Sequence, residues 1–310
     1  MFKKIRIITH SGTFHSDEAF AIATLKMFLK QKYKDRFFKP RFEILRTRNL
    51  ELIKEGDYVV DIGGEYNPEK LIFDHHQIEG AGERENGIPY ASFGLVWKKF
   101  GENICDSREI ANEIDEKMVQ SVDALDSGIN LYDLKIPNVP PYLFFDLGAT
   151  YNFLAVHNGN KPMQSFLKMI DLAEEVLLRE IERAVIQEKQ KEKVLEVYNK
   201  MEDKRLIVFD EDYDDYVIDK TLGRFSEPLF VVKPNNNENE EWKLKTIRKG
   251  GGSFDSKKDL PLEWAGKRDE ELQKITGVSD AVFCHNKRFI AVVRSKEGAL
   301  SLARLALQEL

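Results

Sequence analysis

The sequence predicts an α/β protein in two folded parts joined by a helical connector, and three observations lead there. In the first half, short β-branched runs alternate with helix-period segments, as in a mainly parallel sheet covered by helices. From Met163 to Met201 a Lys/Glu-rich stretch carries an apolar stripe of Leu167, Ile170, Leu172, Val176, Leu177, Ile181 and Val185. Beyond Arg205 strand-like runs follow one another closely, the pattern of a smaller α+β domain with a mostly antiparallel sheet. The expected boundaries are 1–160, 161–203 and 204–310.

Taken in order, Ile5–Thr9 is a short β-branched strand, and Glu18–Lys30 has apolar residues at helical spacing. Arg41–Arg48 alternates as a strand, and Leu50–Lys54 is a brief helix. Tyr58–Val60 and Leu71–Phe73 are apolar runs short enough for buried parallel strands. Ala91–Phe100 and Ile110–Leu125 are helical in pattern. The second domain offers strands at Leu206–Phe209, Leu229–Val232, Trp242–Thr246, Ala281–Phe283 and Phe289–Val293, a polar loop at Asn235–Glu241, and a closing helix at Lys296–Gln308.

Composition narrows the function classes. The 310 residues are 42% hydrophobic and 32% charged, enough for a buried core, with no apolar run of the roughly 18 residues a membrane span needs. Met1–Ile8 has two lysines ahead of a strand-like run and no signal-peptide core, so a cytoplasmic protein is expected. Cys105 and Cys284 form no CxxC pair, which suits a reducing compartment, and Cys284 and His285 would point to opposite faces of one strand. A net charge of -6 argues against a broad, non-specific nucleic-acid binder, although a local basic groove is compatible with it.

Polar chemistry concentrates where the short runs of the first half stop. Ile5–Thr9 is followed by His10, Ser11, Gly12, Thr13, Phe14, His15, Ser16 and Asp17; Tyr58–Val60 by Asp61 and then Gly63 and Gly64; Leu71–Phe73 by Asp74, His75 and His76. In open α/β sheets the carboxyl ends of the strands line the ligand crevice, so these groups are expected to converge. Four of the six histidines lie there. Carboxylate with imidazole and no sulfur suits Mn²⁺, Mg²⁺, Fe²⁺ or Zn²⁺, and the surplus of donors suits two ions bridged by one carboxylate. Asp61 is the candidate bridge. Asp123 and Asp126, three apart before Gly128, share a helix face from which either completes the site. Read singly, Asp17 and Glu18 are also the acids a helix dipole favours in a first turn, and Phe14 is a core aromatic before it is a base-stacking one.

These motifs resemble a known family. "FDHHQ" behind a strand, "YVVDIGGEYNP" before it, and the opening "THSGTFHSDEAFAIATLK" resemble the DHH phosphoesterase superfamily. With "YASFGLVWKKFG", "VDALDSGI", "LPLEWAGKRDEELQKITG", "AVFCHNKRFI" and "KEGALSLARLAL" the chain resembles its Myg1 exonuclease branch, along nearly its whole length. The resemblance implies a DHH-type catalytic domain, two divalent ions (Mn²⁺ favoured, Mg²⁺ the alternative), and 3′-to-5′ cleavage of single-stranded RNA or short oligonucleotides. It implies His10, His15, Asp17, Asp61, His75 and Asp126 as metal ligands, with Asp123 in reserve. His76 is then the phosphate-facing histidine, and Asp74 orients His75, completing a catalytic set of His76, Asp61 and Asp74. His15 stands where much of the superfamily has aspartate, which implies a less anionic shell.

Arg46 and Arg48 near the first strand ends, and Arg248, Arg268 and His285 in the second domain, are the candidate substrate contacts, with a cleft between domains expected to admit a chain end. Lys249–Ser253 is either a phosphate cradle or a plain turn. Two rivals remain: a hydrolase of pyrophosphate or other small phosphates, which needs a compact pocket with several Lys and Arg, and a regulatory binding protein with a relict site. The oligomeric state is left open, a homodimer included.

Overall fold

Alternation along a few short strands decides which side chains enter which layer. The computed structural model describes residues 4–37, 39–133, 141–157, 162–235, 240–250, 253 and 255–308. The chain divides into two compact units, Met1–Val185 and Ile186–Leu310.

The first unit opens with β1 (Lys4–Thr9), α1 (Ser16–Lys32), β2 (Arg41–Arg46), α2 (Leu50–Ile53), β3 (Tyr58–Val60), β4 (Tyr66–Asn67) and β5 (Ile72–Phe73). The sheet order is β2-β1-β3-β5-β4, with β1, β2, β3 and β5 parallel and β4 antiparallel at the edge. Ile5, Ile7, Tyr58, Val60 and Phe73 face one layer of helices, while Ile8, Val59 and Ile72 face the other side with Ile53 of α2. That split is the period-two alternation of a strand. On the first face lie α1 and α3 (Ser92–Cys105), followed by α4 (Arg108–Ile114), a π-helical turn at Asp115–Val119, α5 (Gln120–Asp126) and α6 (Phe144–His157). From Ser16 to Leu25, α1 is buried all round. Burial of each large apolar side chain there, such as Phe20, Ile22 or Leu25, contributes about 1.5–3 kcal/mol.

Helix α7 (Pro162–Lys200) gives Phe166, Met169, Ile170, Ala173 and Leu177 to the core of the first unit and Val194 and Tyr198 to a core of the second. The second unit continues with β6 (Leu206–Val208), α8 (Asp215–Leu222), β7 (Phe230–Asn235), β8 (Glu241–Thr246), α9 (Asp269–Thr276), β9 (Ala281–Cys284), β10 (Ile290–Val293) and α10 (Lys296–Gln308). Its sheet runs β6-β7-β8-β10-β9, antiparallel apart from the β6–β7 pair. Phe230, Val232, Leu244, Ala291 and Val293 pack one face against α10, and Ile207, Val231 and Ile247 pack the other against α8.

The α/β class and all the expected strands are present, with several differences at their ends and among the helices. Leu71 is not in β5; it holds φ +59 ahead of it, a strained value for a leucine. The helix expected at Ile110–Leu125 is broken by the π turn, and α6, α8 and α9 went unread because they are short or lack a clean apolar period. Of the expected polar loop, residues 236–239 lie outside the described residues.

Candidate metal centre

Register alone brings the first donors together. Ile8, Val59 and Ile72 stand side by side across β1, β3 and β5, so the residues just past the strand ends, His10, Asp61 and Asp74, emerge from one edge. Asp61 takes φ +57, a left-handed conformation that aspartate tolerates better than most residues, and its N–H donates to the Phe73 carbonyl at 2.9 Å. Ser92 Oγ, at the start of α3, donates to Asp61 Oδ1 at 3.1 Å.

The amino end of α1 supplies the second wall. Glu18 Oε2 accepts from the His15 N–H at 2.9 Å, fixing the entry into the helix, and Asp17 and Glu18 sit where the helix dipole favours negative charge. The last residue of α5 supplies the third wall: Asp126 lies 3.5 Å from His15 Nδ1 and 3.3 Å from His75 Nε2.

The result is three overlapping donor sets: Asp61, His75 and His76; His15, Asp17, Glu18 and Asp61; and Asp17, His75 and Asp126. Within each set the donor atoms lie within 4.8 Å of one another. His10 Nε2 closes on Asp61 Oδ2 at 3.1 Å and Glu18 Oε1 at 3.2 Å, and His75 Nε2 on Asp61 Oδ1 at 3.2 Å. Both carboxylate oxygens of Asp17 are buried without a hydrogen-bond partner, and Glu18 Oε1 and Asp61 Oδ2 share the single His10 Nε2. Buried carboxylates without donors are costly, and a divalent cation is the group that satisfies several at once. The donor set therefore fits such an ion.

The electrostatics follow from the crowding. Burial and the neighbouring Asp61, Asp126 and Glu18 push Asp17 well above the usual carboxylate range. Burial also raises Glu18 and Asp126. Asp61 goes the other way: burial opposes its charge, but His10 and His75 hold it below the usual range. Burial opposes a charged His10, yet Asp61 and Glu18 outweigh it and push the imidazole up to about 10.

A family model described as an uncharacterised protein family, MYG1_exonuc (UPF0160), matches residues 6–307. The chain belongs to this MYG1 family. It is 30% identical to the human protein named MYG1 exonuclease over 339 aligned residues, covering 98% of this chain and 86% of that protein. It is 28% identical to a MYG1 protein of Schizosaccharomyces pombe, covering 98% and 97%, and 29% identical to the MYG1 protein of Dictyostelium discoideum, covering 96% and 95%.

In this MYG1-family chain the structure reassigns several expected roles. Asp74 does not orient His75: its Oδ1 accepts from His76 Nδ1 at 2.8 Å and from the His76 N–H at 3.2 Å, and its Oδ2 from the Gly64 N–H at 2.7 Å. This carboxylate raises the pKa of the largely exposed His76. Asp123 lies outside the three donor sets. It accepts from the Gly94 N–H at 2.9 Å and pairs with Arg84 at 2.9 Å, and burial, opposed by Arg84, pushes it up to about 7. Glu18 is the donor that sequence reasoning left as a helix-dipole residue; its spacing from His15 as a capping box was the available signal. With it, the donor set that contains His15 holds three carboxylates, Asp17, Glu18 and Asp61.

The expected substrate contacts divide between the units. Arg48 donates from Nε to the Ser11 carbonyl at 3.1 Å, and its Nη2 lies 3.3 Å from His10 Nδ1. Arg46 donates to the Gly12 carbonyl at 2.8 Å and stacks over Phe14 and Phe166, and Phe14 is a core residue. Arg248, Arg268 and His285 all belong to the second unit: Arg248 beside Asp219 at 3.4 Å, Arg268 over the Phe283 ring, His285 against Phe289. In the Lys249–Ser253 turn, Gly251 and Gly252 lie outside the described residues.

Proposed function

We propose that this chain is a metal-dependent phosphodiesterase acting from the 3′ end of single-stranded RNA. The observation that carries the reading is the convergence of the buried carboxylates of Asp17, Glu18 and Asp61, those of Asp17 without a hydrogen-bond partner, with His15, His75 and Asp126 at one sheet edge. The human relative's name, MYG1 exonuclease, points to the same class of chemistry.

Asp61 and Asp17 are the carboxylates common to two of the donor sets, and Asp61, held at the end of β3 between His10 and His75, would be the one shared if two ions were held, Mn²⁺ by preference and Mg²⁺ as the alternative. When bound, such ions lower the pKa of water and neutralise phosphoryl charge. The chain's own residues do the rest. With Nδ1 tied to Asp74, His76 turns Nε2 outward, and its raised pKa keeps a proton there to donate to a phosphoryl oxygen. His10, Asp61, His76 and Arg48 line a cavity of about 680 Å³. Among its described lining residues Arg48 is the one Lys or Arg, whereas a pyrophosphate site needs several, and this favours a diester.

The test incubates purified protein with Mn²⁺ or Mg²⁺ and 5′-end-labelled single-stranded RNA, single-stranded DNA or pyrophosphate, beside Asp61→Asn. The expected result is a ladder shortening from the 3′ end of RNA, its rate falling about 100- to 1,000-fold in the variant, in line with losing a central electrostatic group. Phosphate release from pyrophosphate alone, or a fully active variant, overturns the reading.

A further inference from the structure

A second cavity, of about 820 Å³, adjoins the one that carries the donor sets, with Thr13 lining both. Its chemistry is different. Ile44, Leu45, Ala155, Val156, Pro162 and Met163 make its walls largely apolar, and Phe153 and His157 stand on it one helical turn apart. Their ring centroids are 4.4 Å apart and the Phe153 side chain is 63% exposed, a large aromatic surface left open to water.

Two features tie this cavity to the metal-binding loop. Asn152 accepts from the Phe14 N–H at 3.0 Å and also donates to the Phe14 carbonyl, so α6 is fastened to the segment that carries His10 and His15. Arg46 borders the cavity with a buried Nε that has no hydrogen-bond partner, although its Nη2 holds Gly12. An unpaired buried N–H at the edge of an aromatic, apolar pocket lacks an acceptor.

Resting on the phosphodiesterase reading, we infer that this cavity receives the terminal nucleobase of the strand being cleaved, stacked on Phe153 and His157, with an acceptor of the base on Arg46 Nε. A flat heteroaromatic ring carrying carbonyl or ring-nitrogen acceptors satisfies both the exposed rings and the unpaired donor. Pyrophosphate and other base-free phosphates offer oxygens to the donor but no ring to the aromatic pair, so the discrimination rests on stacking. The site thus sets substrate class: it favours a nucleotide over a bare phosphate, and its stacking component tolerates any base.

The experiment compares two 5′-labelled oligoribonucleotides, one with an intact and one with an abasic 3′-terminal residue, using the whole chain with Mn²⁺. In wild type, removing the base is expected to lower kcat/KM about 10-fold, the scale of one stacked base. In Phe153→Ala that ratio is expected to fall towards one, and Phe153→Tyr to restore it. With Ca²⁺ and an oligonucleotide ending in 2-aminopurine, binding is expected to quench the fluorescence in wild type and not in Phe153→Ala. Phe153 is mostly exposed, so its truncation leaves folding intact, and an unchanged Tm checks this. An unchanged base-dependence ratio or quench in Phe153→Ala overturns the base site while the nuclease reading stands. No cleavage of either RNA by wild type overturns that reading first.

Discussion

Two buried charge clusters, one in each unit, have opposite bookkeeping. In the second unit Lys233, Lys243 and Lys245, neighbours on one face of β7 and β8, meet acids of α8 and the loop before it. Lys245 donates to Asp219 at 2.7 Å, and Lys233 pairs with Asp212 at 2.6 Å and Asp215 at 2.8 Å. In the first unit Asp17 faces Asp61, Asp126 and Glu18, with both its oxygens unpartnered. Burial of matched charge builds structure, whereas burial of unmatched like charge leaves a place for a cation. In the second unit each of these acids has a lysine within 2.8 Å, whereas in the first acid faces acid around Asp17.

The sharpest way to break this contrast is to unbalance the matched cluster. Asp219→Ala strands Lys245, and is expected to cost about 3–5 kcal/mol in urea unfolding. A loss under about 1 kcal/mol would mean that water already compensates the lysine. Glu18→Gln probes the other side. Glutamine keeps the capping acceptor for the His15 N–H but not the charge, so Mn²⁺ affinity by calorimetry is expected to fall about 10- to 100-fold, the range for groups that support a metal site. Affinity equal to wild type would return Glu18 to a purely helix-capping role.

Asp123→Asn breaks a matched pair inside the first unit itself. It is expected to lower stability by about 1–3 kcal/mol by leaving Arg84 without this counter-charge, the Asn oxygen still accepting from the Gly94 N–H, while the rise in Tm on adding Mn²⁺ persists. Disappearance of that rise would restore Asp123 as a ligand. The smallest expected effect is a gain. Asp17→Asn removes one of the crowded charges, so metal-free protein is expected to become about 1 kcal/mol more stable while the Mn²⁺-dependent rise in Tm is lost. A destabilised metal-free variant would show that the acids are already balanced without an ion.

Much of this arrangement was legible residue by residue. The β1, β3 and β5 runs could be read because two or three β-branched or aromatic residues in a row, as in Ile7–Thr9, Tyr58–Val60 and Ile72–Phe73, favour a strand, and the polar residue that stops each run marks the crevice edge. Helix α6 was not legible. Its apolar residues Phe144, Phe145, Leu147, Phe153, Leu154 and Val156 wrap around the helix, and Phe145, Phe153 and Val156 remain exposed, so no single period announces it. The cavity that α6 walls was invisible for the same reason.

The sequence by itself determined the inventory: which donors exist, and that they follow strands, because strand alternation and termination are local properties of a few consecutive residues. Only the tertiary structure decided their pairing. Asp123 and Asp126 share a nominal helix face, yet one meets Gly94 and Arg84 and the other meets His15 and His75, because each lies against a different neighbouring element. Asp74 likewise serves His76 rather than His75, since successive residues past a strand end point in different directions and the Gly64 N–H holds the carboxylate between them.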